Sequence, residues 1–182
     1  MVTLQEIIRS HNRIENFIHR TPVLTNHGLD QFTGAQMYFK CENFQKAGAF
    51  KIRGATNAVE QLSTEELEKG VATSSSGNHG AALAMAVSRR GGKVTVVMPD
   101  NSSLKKVENV KRNGGNIIWC KPQHESREKV LSDYISKTGS VVIHPYNNER
   151  IIAGQGTAAM EFLEDQPDLD IIITPLSGGG LL

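Results

Sequence analysis

The chain of 182 residues contains 20 Lys and Arg, 19 Asp and Glu and 38% hydrophobic residues, and its formal net charge is +1. It is long enough for one medium domain or two small lobes with a real hydrophobic core, and its balanced charge disfavours a nucleic-acid partner. No apolar run approaches the ~20 residues that a membrane helix needs.

The cysteines and the first residues indicate the compartment. Cys41 and Cys120 lack the spacing of a metal-binding pair, and the opening MVTLQEIIRSHNR lacks the apolar core of a signal peptide. We therefore expect a cytoplasmic protein with reduced thiols and no metal site formed by these residues.

The predicted elements begin with an amphipathic helix, because apolar residues recur every three to four positions from Leu4 to Ile18. Pro22 ends this pattern, since proline lacks a backbone donor. Short apolar runs and helix-length segments then alternate. The runs predicted as buried strands are 37–42, 71–74, 94–98, 116–120, 141–143 and 170–174.

The helix-length segments between these runs are 51–62, 64–69, 78–90, 103–113, 124–137 and 151–164. Ser63 and Glu66 have capping-box spacing at the start of the second segment. Repeated strand and helix units of this size predict an α/β fold with parallel sheets flanked by helices. Such sheets bind ligands at the carboxyl ends of their strands.

Two glycine-containing stretches follow predicted strands. TSSSGNHG, residues 73–80, opens a predicted helix, where free amides and polar side chains can bind a carboxylate or a phosphate. TPLSGGGLL, residues 174–182, lets backbone amides approach a phosphate closely, although it fits neither the Walker nor the dinucleotide pattern. An ordinary helix cap and a flexible turn remain the alternatives.

Lys51 is the third feature, placed behind Phe50 in the stretch ENFQKAGAFKIRGATNAV, residues 42–59. A lysine can form a Schiff base if its amine is poorly solvated. Most lysines at a helix start are solvated instead, so both interpretations stay open for Lys51 alone.

Together and in this order, FKIRGA, SSGNHG and the glycine-rich turn resemble the serine/threonine dehydratase family, which includes serine racemases and threonine ammonia-lyases. These are fold-type II enzymes that use pyridoxal 5'-phosphate (PLP). The resemblance extends over HRTPVL, FKCENFQK, ESRE, HPY and AGQGT. It implies two lobes built on parallel sheets, a small amino-acid substrate and a homo-oligomer.

The resemblance also implies roles for individual residues. Lys51 would hold PLP covalently, Phe50 would pack beside the cofactor ring and Asn78 would bond the ring hydroxyl. The residues that would wrap the phosphate are Ser177, Gly178, Gly179 and Gly180. Those implied for the substrate carboxylate are Ser75, Ser76, Asn78, His79 and Arg127. For His79, packing beneath the loop is the alternative, and for Arg127 it is a solvated position on a helix.

By the same resemblance, Lys51 removes the Cα proton, so that L-serine yields pyruvate, L-threonine yields 2-oxobutanoate, and both release ammonia. Racemisation requires an acid on the opposite face. Ser76 stands where members similar to serine racemase carry a serine, whereas Tyr146 replaces the asparagine of animal racemases and favours the dehydratase branch. We expect dehydration, with racemisation as a second candidate activity.

Family members are longer, so the resemblance implies that the larger lobe is incomplete here. We expect residues 1–69 to form the N-terminal part of the large PLP domain, 70–146 the small domain, and 147–182 a returning segment that ends at the phosphate loop. The Mg or Ca ligands of the longer relatives are expected to lie outside this chain. A non-catalytic PLP-binding remnant, or a fragment that needs a partner, is the alternative. Replacement chemistry like that of cysteine synthase or tryptophan synthase β is disfavoured by the SSGNHG and FKIRGA versions of the motifs.

Overall fold

The computed structural model describes residues 1–182. The helices are α1 (Leu4–Ile14), α2 (His27–Thr33), α3 (Lys51–Glu60), α4 (Thr64–Glu68), α5 (Asn78–Arg89), α6 (Leu104–Arg112), α7 (His124–Thr138) and α8 (Glu149–Asp165). The strands are β1 (Val23–Thr25), β2 (Tyr38–Lys40), β3 (Val71–Ser74), β4 (Val94–Pro99), β5 (Asn116–Cys120) and β6 (Val141–Val142). No helix is both long and apolar enough to cross a lipid bilayer.

The main sheet has the strand order β5-β4-β3-β6, and every pair in it is parallel. Val71 of β3 pairs with Val94 on one side and with Val141 on the other. All six residues of β4 are buried, as expected for a parallel strand covered on both faces. The predicted α/β class is confirmed, and the carboxyl end of β3 leads directly into the loop before α5.

Residues 37–42 were expected to add to the parallel sheets, and this expectation was wrong. The strand there is β2, which pairs antiparallel with β1 in a separate two-stranded sheet, with Leu24 opposite Phe39. The intervening α2 ends at Gly34 in the left-handed conformation and returns the chain beside β1. An apolar run predicts a strand, but it does not indicate whether that strand pairs parallel or antiparallel with its neighbour.

The strand predicted at 170–174 was also wrong, because these residues belong to no sheet in the structure. Ile171 is 77% exposed and Ile173 is 89% exposed. The β-branched sequence is compatible with a strand. A strand also needs a hydrogen-bonded neighbour, and no other strand pairs with residues 170–174 in the structure. The other predicted helices and strands are confirmed as elements, although the opening helix ends at Ile14 and continues as a 3₁₀ turn, Glu15–Phe17. The predicted burial was wrong for β5 and β6, which are largely exposed or half-buried.

The core lies where α3 packs between α5 and α8. Ile52, Ala55 and Val59 of α3 join buried residues of α5 and the parallel strands in one apolar cluster. Gly54 permits close contact with α8, since a Cβ there would lie 2.6 Å from the carbonyl oxygen of Ile151. This packing fixes the helix that begins at Lys51.

Candidate active site

Lys51 is the first residue of α3, and its side chain is half-buried. Its Nζ lies 4.9 Å from the centroid of the Phe50 ring and donates a hydrogen bond to the carbonyl oxygen of Pro145 at 3.3 Å. Burial lowers the pKa of the Lys51 amine below its ordinary value. A larger fraction of the amine is therefore neutral than in a solvated lysine, as Schiff-base chemistry requires.

The loop before α5 presents unpaired backbone donors. The Ser75 hydroxyl accepts from the amides of Gly77 at 3.2 Å and Gly80 at 3.1 Å, which fixes the loop. The amides of Ser76, Asn78 and His79 donate to no acceptor within the chain. Because they lie at the N-terminus of the 12-residue helix α5, they can bind an anion. The side chains of Ser76 and Asn78 are exposed.

His79 lies beneath this loop and is 3% exposed. Its Nε2 lies 3.3 Å from the carbonyl oxygen of Ile143, so Nε2 carries the proton and donates it, while the buried Nδ1 has no partner. Burial, together with the nearby charges of Lys51 and His144, lowers the pKa of His79 to about 4. The neutral ring joins the start of α5 to the end of the β6 segment.

The glycine loop has the backbone of a phosphate-binding turn. Ser177 and Gly179 have positive φ angles of 43° and 78°, and the amide of Gly179 donates to Leu176 at 2.8 Å. The amides of Ser177, Gly178 and Gly180 donate to no acceptor within the chain. Successive free amides around left-handed residues form a concave site for an anion, so this loop fits the phosphate of PLP.

Tyr146 packs directly on the glycine loop, a contact that the motifs do not reveal. A Cβ on Gly178 would collide with the Tyr146 ring, and one on Gly180 would lie 2.9 Å from the Tyr146 Cβ. His144 meets the same ring edge-on, with ring centroids 4.5 Å apart. Its Nδ1 accepts from the amides of Tyr146 at 3.3 Å and Asn147 at 2.9 Å.

The segment from Ile143 to Tyr146 thus connects three of the predicted features. Its carbonyl groups accept from His79 and Lys51, and its tyrosine covers the glycine loop. The FKIRGA, SSGNHG and SGGG motifs all contact this one short segment.

Arg127 lies beside the same segment, in a cavity of about 130 Å³. It is half-buried, and its Nε is buried without a partner. His124, His144 and Tyr146 also line the cavity, as do Thr73 and Ser74 at the carboxyl end of β3. Arg127 is therefore only partly withdrawn from solvent.

A larger cleft of about 1000 Å³ opens beside the loop before α5. Gly77 and Asn78 line one side, and Ala47 and Gly48 line another. No group of three or more His, Cys, Asp or Glu side chains is arranged to hold a metal ion.

Comparison with known proteins gives the same assignment as the motifs. The model of the family described as pyridoxal-phosphate dependent enzyme matches residues 14–182. Serine racemase of Oryza sativa subsp. indica is 49% identical over 179 residues, which are 98% of this chain and 53% of the relative. The beta-hydroxyaspartate dehydratase of Paracoccus denitrificans is 47% identical over 180 residues, covering 99% of this chain and 57% of that protein.

Among solved structures, maize serine racemase superposes with a TM-score of 0.96 at 49% identity, over 99% of this chain and 55% of the maize chain. This similarity confirms the fold-type II architecture. The chain spans about half the length of the relatives it matches.

Proposed function

Since this chain belongs to the pyridoxal-phosphate dependent enzyme family, we propose that it catalyses PLP-dependent dehydration and deamination of a β-hydroxy-amino acid, L-serine or L-threonine. The observation that carries this proposal is the half-buried Lys51 amine with its lowered pKa. This amine donates to the carbonyl oxygen of Pro145, and the next residue, Tyr146, packs on the glycine loop. The products would be ammonia with pyruvate or 2-oxobutanoate.

Lys51 would attach PLP and later remove the substrate Cα proton at Nζ. When bound, PLP supplies an electron sink for the charge left on Cα. The lowered pKa supports the role of base, because proton removal requires the neutral amine. The free amides of Ser177, Gly178 and Gly180 would hold the phosphate, with Phe50 beside the ring and Asn78 at the ring hydroxyl.

The substrate carboxylate would bind at the start of α5. The free amides of Ser76, Asn78 and His79 support this position, and Ser75 keeps the loop in shape. The side chain of His79 would act from beneath the loop rather than touch the substrate, since it is buried.

Serine racemisation is a second candidate activity. The identity to the rice enzyme supports it, and the exposed Ser76 hydroxyl could return a proton to Cα. In this reaction Lys51 would remove the proton on one face and Ser76 would supply one on the other. The hydroxyl must be re-protonated by solvent, which its exposure permits.

Hydroxyaspartate is a further candidate substrate, supported by the Paracoccus relative and by Arg127. A second carboxylate on the substrate would require a second anion site, separate from the start of α5. The guanidinium of Arg127, which lines a small cavity, would supply this second site. Loss of water from this substrate and hydrolysis of the resulting imine would release ammonia and oxaloacetate, so the net change would be loss of ammonia alone.

A non-catalytic PLP-binding remnant, or a fragment that needs a partner for activity, is the alternative from another class. A homo-oligomer, a cytoplasmic location and a divalent cation in longer relatives stay predictions.

The deciding experiment is an absorption spectrum with added PLP, followed by borohydride reduction and peptide mapping. We expect yellow colour and a reduced adduct on Lys51. Lys51→Ala should lose the adduct, whereas the control Lys46→Ala, five residues earlier, should retain it. An adduct on another lysine, or none, would refute the proposal.

Assays then separate enzyme from remnant. L-serine, L-threonine and threo-3-hydroxyaspartate are tested for 2-oxoacid release, and L-serine is tested for D-serine. An adduct on Lys51 without activity in any of these four assays would show that the protein binds PLP without catalysing these reactions.

A further inference from the structure

A buried ion network lies on the opposite side of α3 from the proposed cofactor. Arg53 is 0% exposed and bonds two carboxylates at once. Its Nε and Nη2 donate to Glu42, both at 2.8 Å, and its Nη1 and Nη2 donate to Glu161, also at 2.8 Å. Nη1 donates further to the Thr157 hydroxyl at 3.2 Å.

A second cation belongs to this network. The Lys40 ammonium lies 2.9 Å from Glu161 and 3.5 Å from Asp165. Burial alone would raise the pKa of Glu161, but hydrogen bonds from Arg53 and Lys40 lower it overall, so the carboxylate stays ionised.

Stability is a weak reason for such a network, because apolar side chains can replace buried ion pairs with little loss or even a gain. Its geometry is more specific. Two carboxylates from separate elements each make two hydrogen bonds to the guanidinium of Arg53, and together they fix its orientation. Glu161 belongs to α8, and Glu42 belongs to the 3₁₀ turn Glu42–Phe44, so both elements constrain α3.

The first turn of α3 is also held by Gln155, whose Oε1 accepts from the Gly54 amide at 3.2 Å, but this turn has no side-chain cap. Phe50 occupies the N-cap position and makes no side-chain capping bond. Arg53 lies in the first turn, two positions after Lys51, so the two side chains project about 160° apart around the helix. One contacts Pro145, and the other contacts Glu42 and Glu161.

We propose that Arg53 is a positioning residue for Lys51, in that its bonds to Glu42 and Glu161 fix the first turn of α3 and thereby hold the lysine amine in its partly dry position. The inference rests on the proposed role of Lys51. Without these bonds the first turn of α3 shifts, and the Lys51 amine becomes more exposed to solvent.

The test is Arg53→Lys, which keeps the charge but cannot bond both carboxylates in the forked geometry. The matched control is Arg90→Lys, because Arg90 bonds the carbonyl groups of Val59 and Leu62 at the other end of α3. In PLP-free protein, acylation of Lys51 is followed against pH by mass spectrometry, and PLP trapping at Lys51 is quantified separately. Circular dichroism establishes that each variant is folded.

We expect the pH midpoint of Lys51 acylation to move upward in Arg53→Lys, towards that of a solvated lysine, and trapped PLP at subsaturating concentration to fall by about threefold or more. Arg90→Lys should keep the wild-type midpoint even if it melts earlier. A wild-type midpoint in Arg53→Lys, or equal shifts in both variants, overturns the inference.

If Arg53→Lys fails to fold, Glu161→Gln replaces it, since it removes one charged partner and leaves Glu42. An upward shift there supports the inference, and an unchanged midpoint overturns it. Failure of the wild-type protein to trap PLP at Lys51 would refute the proposed function instead, whereas the acylation midpoints still test Arg53.

Discussion

The Nζ of Lys51 donates a hydrogen bond to the carbonyl oxygen of Pro145 at 3.3 Å, across 94 positions of sequence. The contact joins the first residue of α3 to the segment that follows β6. Because this segment also accepts from His79 and carries Tyr146, one stretch of backbone links the lysine, the α5 loop and the glycine loop.

His79 should make the protein less stable in mild acid. Its folded-state pKa of about 4 lies below the ordinary 6.5, so between these values the unfolded chain binds more protons than the folded one. Its contribution is fully present above pH 6.5 and is lost as the pH falls towards 4, by on the order of 3 kcal/mol. Urea unfolding at pH 7.5 and pH 5 should show about 2 kcal/mol of this loss.

His79→Gln, which can still donate to Ile143, should flatten the pH dependence, whereas His27→Gln on exposed α2 should leave it unchanged. Equal pH dependence in the wild-type protein and His79→Gln would contradict the assignment.

Gly178→Ala should weaken PLP binding by about tenfold or more, because overpacking typically costs 1–3 kcal/mol. The new methyl group would collide with the Tyr146 ring and displace the loop. Equilibrium titration with PLP measures the affinity. Tyr146→Ala in the same chain should recover part of the loss, and a double variant no better than Gly178→Ala would show that the ring is not the obstacle.

Arg127→Met should raise the KM for hydroxyaspartate more than the KM for L-serine. The expected difference is about tenfold or more, since hydrogen bonds to charged groups contribute ≈1.5–3 kcal/mol. Steady-state kinetics with both substrates provide the comparison. Lys129→Met removes an exposed positive charge from the same helix and should change neither value. Equal KM increases for the two substrates would assign Arg127 to the shared α-carboxylate.

Ser76→Ala should suppress D-serine formation by about 10²-fold or more while pyruvate release persists, since a positioned acid contributes 10²–10⁴-fold. Only racemisation needs a proton on the second face of Cα. Chiral chromatography and a 2-oxoacid assay on the same sample give the ratio of the two products. Parallel loss of both products would place Ser76 in substrate binding.

The local elements near the candidate site could be predicted from sequence. The helix starting at Lys51 and the strand-to-helix transition at residues 74–78 are visible in periodicity and turn residues, which act over a few positions. The direction of β2 and the absence of a ladder at 170–174 could not be predicted, because pairing depends on strands elsewhere in the fold. The contact of Tyr146 with Gly178 had no local signal either, since the HPY and SGGG motifs are separate in sequence.

The fold class, the family and the order of the motifs can be predicted from the amino-acid sequence alone, because alternating elements and glycine-rich turns depend on neighbouring residues. Three features became visible only in the folded chain: the Lys51 amine is half-buried with a lowered pKa, His79 lies beneath the loop, and the Nε of Arg127 is buried without a partner. The physical reason is that desolvation and hydrogen-bond partners are supplied by distant segments. Pro145 and Glu161 reach α3 only when the chain has folded.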